Sequence, residues 1–211
     1  MKNLVKKLNL EYLLLIIILL FGFFLRIWKL GLSSLWIDEA TSAVASMNIL
    51  SKGLPIFDSG LLYGRAYLFH YLQAFFLLFG QTEFLARFVS VIFGLFIIFL
   101  GYKIGKEYSK SGGIITALFL AVFYLEVFYS RQARFYQLFQ LMFFLSIYLL
   151  YKSKWDPKKP NKSLIYLILS IIAFFITINT QIAGLVLAPF FIIHIVVYNK
   201  KWRGYLAVIP G

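Results

Sequence analysis

LEYLLLIIILLFGFFLRIWKLGLSSLWIDEA, Leu10 to Ala40, holds the decision about this chain. Its first two thirds, Leu10–Leu30, form an apolar run of the ~20 residues that a helix needs to cross a bilayer. Directly beyond it stand two adjacent carboxylates, Asp38 and Glu39. The run is followed by further apolar stretches rather than a small-residue cleavage site, so it reads as a retained membrane helix.

The composition agrees. Hydrophobic residues make up 62% of the 211, aromatic residues 20%, and the mean hydropathy is +0.85, far from the mix of an ordinary soluble domain. The chain is an all-α, polytopic membrane helical bundle. Its formal charge of +13 does not indicate nucleic acid, because the basic residues sit in short loops between apolar runs, where they report topology. Cysteine is absent, which excludes disulfides, thiol catalysis and cysteine metal sites.

Six runs of spanning length are expected to cross, at about Leu10–Leu30, Phe84–Tyr102, Ile114–Tyr129, Leu138–Tyr151, Leu164–Asn179 and Ala183–Tyr198. A seventh, Leu61–Phe79, carries Arg65, His70 and Gln73 among its apolar residues. Charge bias decides its fate. The lysine clusters Lys2–Lys7, Lys103–Lys110, Lys152–Lys162 and Lys200–Lys201 all belong inside. Between the outward exit at Gly31 and the return at Lys103 the chain must therefore cross an odd number of times. Phe84–Tyr102 is the cleaner span, so Leu61–Phe79 is expected to lie in the outer interface. Glu39–Leu50 behaves similarly: Ala40, Ala43, Val44, Met47 and Leu50 share one helical face, and Gly53 and Pro55 end it. The external loop 31–83 thus becomes a membrane-hugging platform of two interfacial helices, with the N-terminus cytoplasmic.

In this topology Arg26, Arg65, Arg87, Arg131 and Arg134 gather at the outer boundary, where arginine forks suit phosphate or carboxylate. Several have ordinary alternatives. Asp38 could simply cap the following helix, Glu83 and Arg87 could pair across one helical turn, and Arg131 and Arg134, three apart, could share a helical face as interfacial anchors. His70, among aromatics, reads as a packing residue. With His194 near the inner end of the last run, no paired-histidine metal site is visible.

Three stretches together carry a resemblance: LWIDEA after the first span, GQTEFLARFVSVIFG (Gly80–Gly94) opening the next, and SRQARFY (Ser130–Tyr136) after the third. In order and placement they resemble the GT-C glycosyltransferases, in the branch of dolichyl-phosphate-mannose protein mannosyltransferases and lipid A aminoarabinose transferases. The resemblance implies a GT-C-like bundle and an inverting sugar transfer from a polyprenyl-phosphate-linked donor to an acceptor hydroxyl on a protein or glycolipid. It implies an active face outside the plasma membrane, with membrane lipids as surroundings and no nucleic acid partner. By motif position Asp38 serves as base or acceptor contact with Glu39 beside it, and Arg131, Arg134 and Arg65 hold the lipid phosphate. Asp38 and Glu39 could hold a divalent cation instead; no other cofactor is implied. Members of this branch are usually longer, so residues 1–211 are expected to be an N-terminal module or a shortened homologue.

The rival expectation is a non-enzymatic membrane protein, a transporter or a lipid-binding partner subunit. A transporter would place polar groups near the midplane. Here Phe84–Tyr102 and Leu138–Tyr151 are nearly free of charge, which favours chemistry at the interface.

Overall fold

A computed structural model describes residues 10–154 and 158–198, with side chains through residue 194. The described chain is helical, without a β-strand; one isolated bridge, Ile56 to Leu62, closes a loop. Among the described residues nine α-helices follow in order: α1 Leu10–Ile27, α2 Ile37–Lys52, α3 Tyr67–Leu77, α4 Glu83–Lys106, α5 Lys110–Val122, α6 Tyr124–Ser130, α7 Tyr136–Lys152, α8 Pro160–Thr180 and α9 Ala188–Tyr198. A 3-10 turn, Ile182–Leu187, precedes α9. The chain divides into two compact units, Met1–Leu141 and Met142–Gly211.

Three of these helices, α1, α4 and α8, are long and apolar enough to cross a membrane. A fourth crossing results if α5 and α6, bent by 60° at their junction, count as one broken span. The apolar runs Leu138–Tyr151 and Ala183–Tyr198 fall in the 17-residue α7 and in the 3-10 turn with the 11-residue α9. Helix α3 also has 11 residues, about 16 Å at ~1.5 Å per residue. That is about half of a ~30 Å hydrocarbon core.

Local chemistry sets the ends. Thr82 caps α4 by accepting from Leu85 N, and Ser109 caps α5 by accepting from Gly112 N. Gly53 ends α2 in the left-handed region at φ 74°, which costs glycine little.

In the first unit α4 is central. Leu15 and Ile18 of α1, Ile98 and Tyr102 of α4, and Ala117 and Ala121 of α5 form one core. Helices α4 and α5 approach backbone to backbone: a Cβ at Gly105 would lie 2.6 Å from Gly112 O. Small residues allow such contacts where the surrounding lipid gives helices little hydrophobic reason to associate. The α5–α6 break at Phe123 contains no proline. Arg26, fully buried, donates from Nη1 to Ala121 O and from Nη2 to Leu120 O, each at 3.0 Å, and so supplies donors where the helix ladder stops. Helices α2, α3 and α4 are tied by polar bonds. Ser46 of α2 donates to Gln73 Oε1 of α3 at 2.7 Å, and Gln73 Nε2 donates to Ala86 O of α4 at 2.8 Å.

The second unit packs Leu150, Leu187 and Phe191 into its own core. Ser170 of α8 donates to Ser146 O of α7 at 2.8 Å.

Candidate active site

The first residues of α2 decide the site. The helix begins one residue before the acidic pair, with Trp36 as its N-cap residue. Asp38 therefore does not cap the helix, which removes the ordinary alternative that its position in the sequence offered. Glu39 at the third helical position reaches back instead, its Oε2 accepting from Trp36 N at 2.9 Å.

Glu39 does more than that. Arg87 of α4 grips it with two donors, Nε to Oε1 and Nη2 to Oε2, each at 2.9 Å. Ala133 N adds a bond to Oε1 at 2.7 Å. The rest of the guanidinium is spent on the loop before α2, donating to Leu30 O, Ser33 O and Ser34 O at 2.8–3.0 Å. Burial alone would push the Glu39 carboxyl up, but Arg87 and the Trp36 and Ala133 amides outweigh it and hold the group below the ordinary carboxylate range. The spacing of Glu83 and Arg87 suggested a pair within α4; Arg87 instead crosses to Glu39, because a buried guanidinium needs a buried carboxylate.

The two acids thus separate by environment. Both Glu39 oxygens are committed to protein donors, whereas the Asp38 side chain is exposed. The pair does not present two open carboxylates to a cation, and among the described residues no group of three acidic, histidine or cysteine side chains could hold a metal ion.

The arginines divide too. Residues 131–135 form turns rather than helix, so Arg131 and Arg134 do not share a helical face as their spacing suggested. Arg131 Nη1 donates to Leu25 O, Arg26 O and Trp28 O at 2.7–3.2 Å, closing the C-terminal end of α1. Arg134 Nη1 donates to Asp38 O at 3.0 Å and to Ser42 Oγ at 2.9 Å, and its guanidinium lies 4.6 Å from the Phe135 ring centroid. Its Nε is buried without a partner. Arg65 is exposed, with its guanidinium 6.0 Å from the same ring.

Asp38, Glu39, Arg87, Arg131 and Arg134 border two adjoining cavities, whereas Arg65 lines neither. One, about 570 Å³, is lined by Ser33, Ser34, Arg87 and Arg131 among others. The other, about 210 Å³, is lined by Asp38, Arg134, Tyr129 and Tyr136. Trp36, Glu39 and Gln132 border both. Sequence reasoning missed Arg87, Trp36 and Gln132 as site residues. The one available signal was Glu39, three residues after Trp36, in capping-box register.

A helical bundle with helices apolar enough to cross a membrane, carrying carboxylate and arginine side chains on two adjoining cavities, belongs with the membrane glycosyltransferases of GT-C type. The chain belongs to the dolichyl-phosphate-mannose-protein mannosyltransferase family, whose model matches residues 65–209. That range contains Arg65, Arg87, Arg131 and Arg134, while Asp38 and Glu39 precede it. No curated protein and no solved structure matches the chain.

Proposed function

We propose that the protein transfers a sugar, with inversion, from a polyprenyl-phosphate-linked donor to an acceptor hydroxyl on a protein or glycolipid. The reaction takes place at the outer face of the plasma membrane, with the N-terminus cytoplasmic. Asp38 is the general base. As the acceptor oxygen bonds to the anomeric carbon, its proton passes to Asp38, and the bond from that carbon to the lipid phosphate oxygen breaks. The electron pair leaves with the phosphate. A positioned base of this kind contributes typically ~10²–10⁴-fold.

Arg134 and Arg131 hold the lipid phosphate, whose negative charge grows as the bond breaks, so fixed positive charge favours the transition state over the ground state. Arg65 extends this basic edge into solvent. Glu39 and Arg87 are positioning residues: they join α2, α4 and the 131–135 turns, and so set the distance between the base and the phosphate site.

The observation that carries the reading is that the exposed Asp38 carboxylate and the buried Arg134 line the same cavity. The test is to supply the reconstituted protein with polyprenyl-phosphate mannose and a hydroxyl acceptor, and to measure release of polyprenyl phosphate. Acceptor-dependent release supports the assignment; binding of the lipid without release favours a non-enzymatic lipid-binding role.

A further inference from the structure

In the unit Met142–Gly211, four lysines converge on a depression of about 290 Å³ that the mechanism does not use. Lys152 ends α7, Lys154 follows it, and Lys159 and Lys162 flank the start of α8; Ser163 and Tyr166 complete the lining. The depression is built rather than incidental. Ser163 Oγ donates to Lys154 O at 3.0 Å, tying the two sides of the loop together. Lys152 Nζ lies 5.9 Å from the Tyr148 ring centroid, Lys154 Nζ 4.5 Å from Tyr151 and Lys162 Nζ 5.7 Å from Tyr166. Each ring reduces the freedom of a flexible ammonium and keeps it at the level of the interface.

Charge and shape name the ligand. Residues 142–211 contain eight lysine and arginine side chains against one acidic side chain, Asp156, so the unit is strongly basic. An excess of ammonium groups with rotatable donors suits a phosphate, which lysine meets as a point charge without a fixed fork. From the depression an apolar stripe runs down α8. Ile165, Ile168, Leu169 and Ile172, at spacings i, i+3, i+4 and i+7, are each 44–55% exposed, and α8 is one of the three helices able to cross a membrane. A soluble phosphate would have no use for that stripe; an acyl chain would.

We propose that this depression binds the phosphate headgroup of an anionic membrane phospholipid, whose acyl chain lies along the exposed stripe of α8. Basic pockets at the ends of membrane helices hold such headgroups through charge and are sensitive to salt. By the lysine bias the lipid belongs to the cytoplasmic leaflet, so the site needs neither the sugar donor nor the outer cleft.

The test uses the whole chain in mild detergent, incubated with mixed phosphatidylcholine and phosphatidylglycerol, with retained lipid identified by native mass spectrometry. The wild type should retain phosphatidylglycerol preferentially. The triple variant Lys154→Gln/Lys159→Gln/Lys162→Gln should lose affinity for it on the order of 100-fold, from the usual contribution of each lysine near anionic lipid. The pair Lys103→Gln/Lys110→Gln, exposed lysines outside the depression, should change it by less than about threefold on the same scale. The corresponding triple arginine variant keeps the charge and should keep the preference, which separates loss of charge from loss of fold. Equal loss in the control pair, an undiminished preference in the glutamine variant, or displacement by millimolar inorganic phosphate would each overturn the proposal.

Discussion

Glu39 and Arg87, 48 positions apart in the chain, meet in a two-pronged ion pair with both contacts at 2.9 Å and side chains only 6% and 5% exposed. Through it the loop after α1, the start of α2, the start of α4 and the turn at Ala133 become one rigid corner. Removing one partner leaves the other as an uncompensated buried charge, which costs ~3–5 kcal/mol. Arg87→Ala and Glu39→Ala should each lower the unfolding temperature in detergent markedly, and the double variant should lose less than the sum. A loss under about 1 kcal/mol, the range of an exposed pair, would mean that the corner is held by other contacts.

The pH dependence of stability separates Glu39 from His70. Burial, with the Arg134 charge beside it, pushes the His70 imidazole down to about 4 in the folded chain, from its ordinary 6.5. Between those values the unfolded chain binds the proton and the folded chain does not, so stability falls as pH drops through this window, by about 3 kcal/mol for a shift of this size. His70→Gln should flatten the slope there. Glu39 acts lower. Its depressed carboxyl contributes stability that is complete above its ordinary 4.5 and is lost as pH falls below that value towards the folded one. Unfolding temperatures of the wild type, His70→Gln and Glu39→Ala from neutral pH to pH 3 check both windows.

Arg134→Lys keeps a charge but loses the Nη1 group that donates to Asp38 O and Ser42 Oγ, as well as the planar fork offered to a phosphate. Polyprenyl-phosphate binding should weaken by ~1–2 kcal/mol, the scale of one charge-assisted hydrogen bond. Arg65→Lys should change it little, because Arg65 is exposed. Titrating the lipid phosphate against both variants tests the difference; unchanged affinity in Arg134→Lys would return this residue to a structural role.

Cysteine is absent, so single cysteines report topology without background. Ser59, Ser111 and Lys158 are exposed. Ser59→Cys should react with an impermeant thiol reagent on intact cells, whereas Ser111→Cys and Lys158→Cys should react only after permeabilisation. External labelling at Ser111 would place α3 across the membrane and invert the assignment of everything after it.

The contrast between these elements and the site shows what local pattern carries. Apolar length marked α1, α4 and α8, and the amphipathic face from Ala40 to Leu50 marked α2, because burial against lipid or core is written residue by residue. The break at Phe123 was not visible. It carries no proline or glycine, and its exposed carbonyls are satisfied by Arg26, 94 and 95 residues away. The pairing of Arg87 was hidden for the same reason. Helical spacing offered Glu83 as its partner, and only tertiary folding brings Glu39 within reach. Arg131 and Arg134 of SRQARFY stand on turns rather than on one helix, and line two different cavities, because the turn residues there aim them at different carbonyls.

The most direct measurement is the transfer rate of Asp38→Asn alongside its unfolding temperature. Asp38 is exposed and does not cap α2, so asparagine should leave stability unchanged while removing the base. Sugar transfer from the polyprenyl-phosphate donor should fall by ~10²–10⁴-fold, with donor affinity close to wild type. Normal turnover in a stably folded Asp38→Asn protein would contradict the assignment of Asp38 as the base.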